Sequence, residues 1–253
     1  MTLSKNDIKY IRSLRLKKFR QKYNNFIVEG HKMVQEFLST PDFEVEALYG
    51  LDSWIKTNKN ALNLPPGQLF KVSITELERI SNLSTPNQVL LIGKQPQMAL
   101  DAELVRRQPC LYLDGIRDPG NLGTILRIAD WFGFPYVFCT PDTVELYNPK
   151  VIQASMGAFL RVKCLPVELT TLIEACPEVP VYGADMAGDS VFDRELTPNG
   201  IIVIGNEGQG IQAANRPKIT QWLKIPAHQD GGAESLNAAV ATGIICAWFR
   251  KGG

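Results

Sequence analysis

The chain has no long run of apolar residues. Its longest weakly polar stretch, "LNAAVATGIICAWF" from Leu236 to Phe249, is too short and too rich in small residues to span a bilayer, so no membrane role is expected. The N-terminal "MTLSKNDIKYIRSLRLKKFR" is polar and basic and contains no apolar core of a signal peptide. Cysteine is scarce and unpatterned: Cys110, Cys139, Cys164, Cys176 and Cys246 are odd in number and include no CxxC pair. That spacing excludes a disulfide framework and a cysteine metal site, and it fits a reducing cytoplasm, with no metal expected. Charge of one sign is lacking as well, since the net +1 argues against wrapping long nucleic acid duplexes. No repeat or low-complexity segment is present. Neither a G-x-G-x-x-G order after an early strand nor a Gly-Lys-Ser/Thr loop ending occurs, which excludes the common dinucleotide and triphosphate sites.

What is present is an ordinary globular composition in 253 residues, enough for one large or two smaller domains. "NNFIVEG", "VEALYG", "GQLFKV" and "QVLLIGK" read as strands that alternate with the helical patterns "HKMVQEFL", "SWIKTNKNAL" and "ITELERIS". A polar, proline-bounded segment follows. Beyond it the βα alternation restarts at "CLYLDGI" and continues through "LGTILRIADWFGF", "YVFCT", "PKVIQASMGAF", "RVKCLPV", "LTTLIEAC" and "VPVYGAD". This order predicts an α/β fold whose second half has a parallel sheet covered on both faces. Domains are expected over 1–97 and 109–253, joined by a linker over 98–108. Ligands of such sheets lie beyond the carboxyl ends of the strands, where "RDPGN", "GNEGQG" and "PAHQDGGAES" would gather.

Charge is uneven along the chain. Before Asn24 stand Lys5, Lys9, Arg12, Arg15, Lys17, Lys18, Arg20 and Lys22 against Asp7 alone. Two readings apply: an RNA-binding face, for which Arg15, Lys17, Lys18 and Arg20 are the candidates, or a solvated helix capped by Ser4 with Ile8, Ile11 and Leu14 turned inward.

Each of the three loops also has two readings. In "DPGNLGTILRIAD", Asn121 suits a helix N-cap and the first-turn amides form a weak anion site. Arg127 shares a stripe with Gly123 and Thr124, where it reaches a substrate or pairs with Asp130. In "IGNEGQG", the glycines permit close backbone approach, but Glu207 repels phosphate and favours a cationic or donor-rich ligand. The alternative there is a helix start capped by Asn206. In "IPAHQDGGAESLNAAVATGI", Ser235 or Asn237 caps a helix or faces a ligand, and Gly243 implies a close packing contact. His228 with Asp230 reads as an exposed pair rather than a base and its orienter.

Together and in this order, "DPGNLGTILRIAD", "VIGNEGQGI" and "IPAHQDGGAESLNAAVATGI" resemble the three motifs of the SpoU/TrmH branch of the SPOUT RNA methyltransferases. The first half, through "RQKYNNFIVEGHKMVQEFL" and "LSTPNQVLLI", is similar to the ribosomal-protein-like substrate domain that often precedes them. The resemblance implies a deep trefoil knot, a homodimer, S-adenosylmethionine as methyl donor, and transfer to a ribose 2′-hydroxyl of RNA, with ribosomal RNA favoured over transfer RNA. It implies Ile204, Gly205, Asn206, Gly208, Ile225, Ser235, Leu236 and Asn237 around the donor, and Asn121, Arg127 and Glu207 as the catalytic set, with Arg127 also toward RNA. One departure is visible: the segment from Ile225 to Leu236 is slightly longer than usual and carries His228 and Asp230. Two other classes fit parts of the sequence. A non-catalytic RNA-binding assembly protein fits the basic segment, and a nicotinamide-dependent oxidoreductase fits only the α/β alternation.

Overall fold

A computed structural model describes residues 3–230 and 232–251. It divides into two compact units, Met1–Gln97 with Glu145–Leu160, and Met98–Val144 with Arg161–Gly253. Along the chain, α1 (Lys5–Ser13), α2 (Lys17–Tyr23), β1 (Asn25–Glu29), α3 (His31–Leu38), β2 (Val45–Gly50), α4 (Asp52–Thr57), β3 (Leu69–Lys71), α5 (Ile74–Ile80) and β4 (Val89–Lys94) come first. They are followed by α6 (Ala102–Arg107), β5 (Cys110–Asp114), α7 (Pro119–Trp131), β6 (Tyr136–Cys139), α8 (Pro149–Ser155) and β7 (Lys163–Pro166). Last are α9 (Leu169–Ala175), β8 (Val181–Ser190), β9 (Ile201–Gly205), β10 (Gln221–Lys224) and α10 (Ala238–Phe249).

In the first unit four strands pair in the order β1-β4-β2-β3, antiparallel except for the parallel β2–β3 pair. Alternation along β1 sends Ile27 to one face, where it joins Ile8, Ile11, Leu14, Leu77 and Ile80 from the flanking helices. Phe26 goes to the other, against Phe37, Tyr147 and Phe159. The segment 145–160, which the sequence places in the second domain, therefore packs with the first unit. The basic N-terminal stretch is two helices rather than one. Ser4 and Asp7 form a capping box at the start of α1, and Leu16 is extended at φ −101°, ψ 132°, which breaks the run before α2. Asn24 ends α2 in the left-handed region at φ 55°, a conformation asparagine tolerates better than most residues.

Arg20 does not belong to an RNA-facing surface. It is 2% exposed, and its guanidinium donates to both carboxylate oxygens of Glu145 at 3.0 and 2.8 Å and to the carbonyls of Leu14 and Arg15, each at 2.8 Å. The planar fork matches the carboxylate and ties α2 to the chain that leads into α8.

The second unit is built on six parallel strands in the order β10-β8-β9-β5-β6-β7. Cys110, Tyr112, Ile201 and Val203 face a core shared with α6 and α9, so Leu111, Leu113, Ile202 and Ile204 point to the opposite face. There α7 and α10 pack against each other. The expected linker is part of this unit: α6, capped by the Asp101 side chain, buries Val105 in the core. Its few apolar residues, spaced for one face, are what the polar composition of 98–108 conceals. The first strand, β5, sits in the middle of the sheet. The order reverses between β5 and β9, and the crevice beyond their carboxyl ends is where an open α/β sheet offers a site.

At Gly243 an added Cβ would meet only the Ile128 side chain at 3.6 Å, an ordinary contact, so the close packing inferred from this glycine is absent. Replacing Arg20 tests the buried pair. Arg20→Ala leaves the Glu145 carboxylate without its partner and should lower the unfolding free energy by about 3 kcal/mol, read from urea denaturation. Stability within a few tenths of wild type would show the pair to be neutral.

Candidate functional site

The loop "GNEGQG" begins where β9 ends. Asn206 and Gly210 exchange both backbone hydrogen bonds, at 3.0 and 2.8 Å, and close the neck of the loop. Gly205 permits this closure. A Cβ there would lie 2.3 Å from the Gly210 carbonyl carbon and 2.4 Å from the Ile211 nitrogen, both backbone, so no other residue fits without opening the neck. The Asn206 Oδ1 accepts from the amides of Gly208 and Gln209 at 3.0 and 3.2 Å. This turn replaces the helix start considered for Asn206, because no helix follows the loop.

Two successive residues at the end of β5 hold the two ends of the loop. The Gly115 carbonyl accepts from Asn206 Nδ2 at 3.0 Å, and the Asp114 carboxylate accepts from the Gln212 amide at 2.8 Å. Asp114 is fully buried, and burial raises its pKa, partly offset by the bonds from Gln212 and Asn215.

Asn121 is not the N-cap of α7. Asp118 takes that role, accepting from the Asn121 amide at 2.8 Å, with Pro119 in the first turn. The side-chain carboxylate of Asp118 also answers the helix dipole internally, so the expected anion site at this terminus is already occupied by an acid. Asn121 lies inside the first turn with its side chain free for other bonds. Its Nδ2 donates to Glu207 Oε1, and its Oδ1 accepts from Asn237 Nδ2 at 2.9 Å. Asn237 is the N-cap of α10, accepting from the amides of Ala239 and Val240 at 2.9 and 3.3 Å. Glu207 Oε2 accepts from Asn206 Nδ2 at 3.3 Å. One hydrogen-bonded chain thus links all three sequence motifs.

Beside this chain a cavity of about 580 Å³ opens at the sheet's carboxyl edge. Ile204, Leu223, Ile225, Leu236 and Ile245 supply apolar walls, and Gly205 to Gly210 supply backbone. Of the predicted donor-binding residues, Ile204, Gly205, Asn206, Gly208, Ile225, Ser235 and Leu236 line it, whereas Asn237 does not. Sequence reasoning missed the lining from Ala184 to Met186 on β8. The Asp185 carboxylate is held below its usual range first by the Ala187 amide and then by Arg216. Its only signal in the sequence is its place at the end of "VPVYGAD", a strand that in the structure continues to Ser190. His228 also lines the cavity; its ring Nδ1 accepts from the Asp230 amide at 3.2 Å and both residues are exposed.

Arg127 lies outside the cavity lining, exposed on α7. The expected pair with Asp130 does not form, because Arg161 holds Asp130 through three bonds of 2.8 to 3.0 Å. Among the described residues Arg127 has no hydrogen bond or ion pair.

Residues 108–247 match the SpoU rRNA Methylase family. The chain belongs to that family. Residues 5–91 match the MRM3-like substrate binding domain. A 23S rRNA (guanosine(2553)-2′-O)-methyltransferase of Bacillus subtilis is 28% identical over 247 residues, covering 96% of this chain and 95% of its own. A 23S rRNA (uridine(2479)-2′-O)-methyltransferase of Streptomyces viridochromogenes is 31% identical, covering 66% of this chain and 61% of its own. Among solved structures, a putative TrmH-family RNA methyltransferase from Porphyromonas gingivalis superposes with a TM-score of 0.88 at 37% identity, covering 98% of each chain. The fold is shared as well by a SpoU methyltransferase of S. viridochromogenes solved with AdoMet, with a TM-score of 0.85 at 23% identity over 98% of each chain.

The chain from Glu207 to α10 is testable. Glu207→Gln places an amide donor against either Asn206 or Asn121. Correcting the clash by turning Asn121 passes it to Asn237 and the α10 cap. The expected result is a loss of about 1 kcal/mol in stability, with faster hydrogen exchange at the Ala239 and Val240 amides. Wild-type exchange at those two amides would show that the motifs are not coupled.

Proposed function

We propose that this protein transfers a methyl group from S-adenosylmethionine to a ribose 2′-hydroxyl of ribosomal RNA. The observation that carries the reading is the hydrogen-bonded chain Asn206–Glu207–Asn121–Asn237, which draws three ordered motifs to the rim of one cavity. The cavity suits the donor. Its volume is that of a small-molecule site, its walls are apolar enough for a flat purine, and Glu207 and Asp185 place acidic groups where a cationic ligand gains from them. Gly205, Asn206, Ile225 and Leu236 would hold it; when bound, it supplies an electrophilic methyl group.

A ribose hydroxyl is a poor nucleophile, so the protein must align it in line and help its proton leave. Among the described residues no carboxylate pairs with Arg127. Its guanidinium is therefore suited to an RNA phosphate and to the negative charge that develops on the 2′-oxygen. Asn121 stands a turn and two-thirds earlier on α7, held by Glu207 and Asn237. Glu207 holds Asn121 through one oxygen and Asn206 through the other, and so acts through Asn121 as a positioning residue.

Support for ribosomal RNA comes from a relative named for 23S rRNA that is matched over 95% of its length and from the substrate-binding domain match over 5–91. The reading includes a homodimer; Trp131 on α7 and Val240 on α10 are large apolar side chains left exposed. It also includes the trefoil knot of the SPOUT fold and a place in the cytoplasm; among the described residues no helix is long and apolar enough to cross a membrane.

Labelled S-adenosylmethionine and total RNA, followed by mapping of 2′-O-methyl positions, test the activity. Arg127→Ala is expected to lower kcat by about 10²-fold or more while donor Kd, measured by calorimetry, stays at the wild-type value. Transfer at the wild-type rate in this variant would remove Arg127 from the site. Donor binding without label in any RNA would overturn the activity.

A further inference from the structure

The outer side of α2 carries more than charge: a half-buried Phe19 and an exposed Tyr23. Phe19 and Tyr23, one turn apart, lie with rings nearly parallel, 12° between planes and 6.3 Å between centroids. Lys18 Nζ lies over the Phe19 ring, 4.9 Å from its centroid, and Lys22 Nζ over the Tyr23 ring at 5.3 Å, so a base would take the ring face as the flexible lysine moves to a phosphate. The Tyr23 ring is held edge-on by Tyr10 at 5.1 Å, and the Tyr10 hydroxyl is fixed in turn by Asn25 at 2.6 Å. The ring is thus set in place before anything binds. Tyr23 remains 40% exposed, large for an aromatic side chain in a packed unit.

The charge around the rings has no counterpart. α2 contains no acidic residue, and among the described residues Lys17, Lys18 and Lys22 make no ion pair. The remaining cation of the helix, Arg20, is consumed by Glu145 in the interior, which leaves the outer face to the lysines and the rings. A solvated helix face has no need for two parallel aromatic rings. A duplex offers its phosphates to such lysines but no open base face, whereas an unpaired nucleotide offers both.

We propose that Phe19 and Tyr23 form a ledge on which unpaired bases of the substrate RNA stack, while Lys17, Lys18 and Lys22 hold the adjoining phosphates. The proposal rests on the RNA reading above and assigns to the first unit a preference for single-stranded segments. It replaces Arg20 with the two aromatic residues in the set that meets RNA.

The full-length protein should be titrated with a short oligouridine and with a blunt RNA duplex across a range of salt. Tyr23→Leu is expected to weaken oligouridine binding about tenfold with an unchanged salt slope and little effect on the duplex, and Tyr23→Trp to retain wild-type affinity. Lys18→Gln combined with Lys22→Gln should lower the oligouridine salt slope by roughly 0.7 per lysine. Wild-type affinity in Tyr23→Leu, or equal losses on both RNAs, overturns the ledge. Should Tyr23→Leu prove unfolded by its melting curve, an unchanged slope in the double lysine variant overturns it instead. A wild-type chain that binds neither RNA would remove the RNA reading itself, and the ledge with it.

Discussion

A carboxylate accepts hydrogen bonds and cannot donate them, and the geometry of the site depends on that limit at Glu207. One oxygen takes Asn206 Nδ2 and the other takes Asn121 Nδ2, so the Asn121 carbonyl must face away from Glu207. That carbonyl can meet only a donor, which turns the Asn237 amide toward it and leaves the Asn237 oxygen to the α10 amides. Each orientation follows from the one before it. A single acid thereby sets three asparagines and one helix terminus with no choice among flipped states, which is the preorganisation that a site needs before a substrate arrives.

The sheet makes this possible by bringing distant segments to one edge. β5 and β9 are neighbours at the point where the strand order reverses, so Gly115 and Asn206 leave their strands side by side although they are far apart in sequence. The loop is then closed upon itself at Gly205 and Gly210 and tied at both ends to β5. Its shape is therefore held by backbone bonds and by the buried Asp114, while Glu207 is engaged with Asn206 and Asn121.

Much of this was legible from residues alone. The patterns "HKMVQEFL" and "VEALYG" give α3 and β2 at their observed bounds, the first because one helix face is buried and the second because a short apolar run, buried on both faces from Ala47 to Gly50, ends at glycine. The acid of "GNEGQG" already argues against phosphate, although the glycines alone would suit it. Other features were not legible, for physical reasons. Whether Asn121 or Asp118 caps α7 depends on which residue is extended, and both side chains suit the position. Eight basic residues look alike in sequence; only the fold shows that Arg20 has a carboxylate from Glu145, 125 positions later. The helix over 102–107 was hidden because its apolar residues are too few to outweigh its charges.

The same competition for partners accounts for where charge is left over. Arg127 stands three residues before Asp130 on α7, yet the carboxylate goes to Arg161, whose fork meets it through two nitrogens. Arg127 is left as a cation on a helix whose own terminus is already satisfied by Asp118. On α2, Arg20 takes Glu145 and the lysines are left in the same condition. An unpaired surface cation costs little in water, so stability alone does not require these arrangements. In each unit the arginine with good geometry secures the fold, and the cations that remain are the ones able to meet a polyanion. That division separates the residues that hold this chain together from those that can act on RNA, and net charge conceals it entirely.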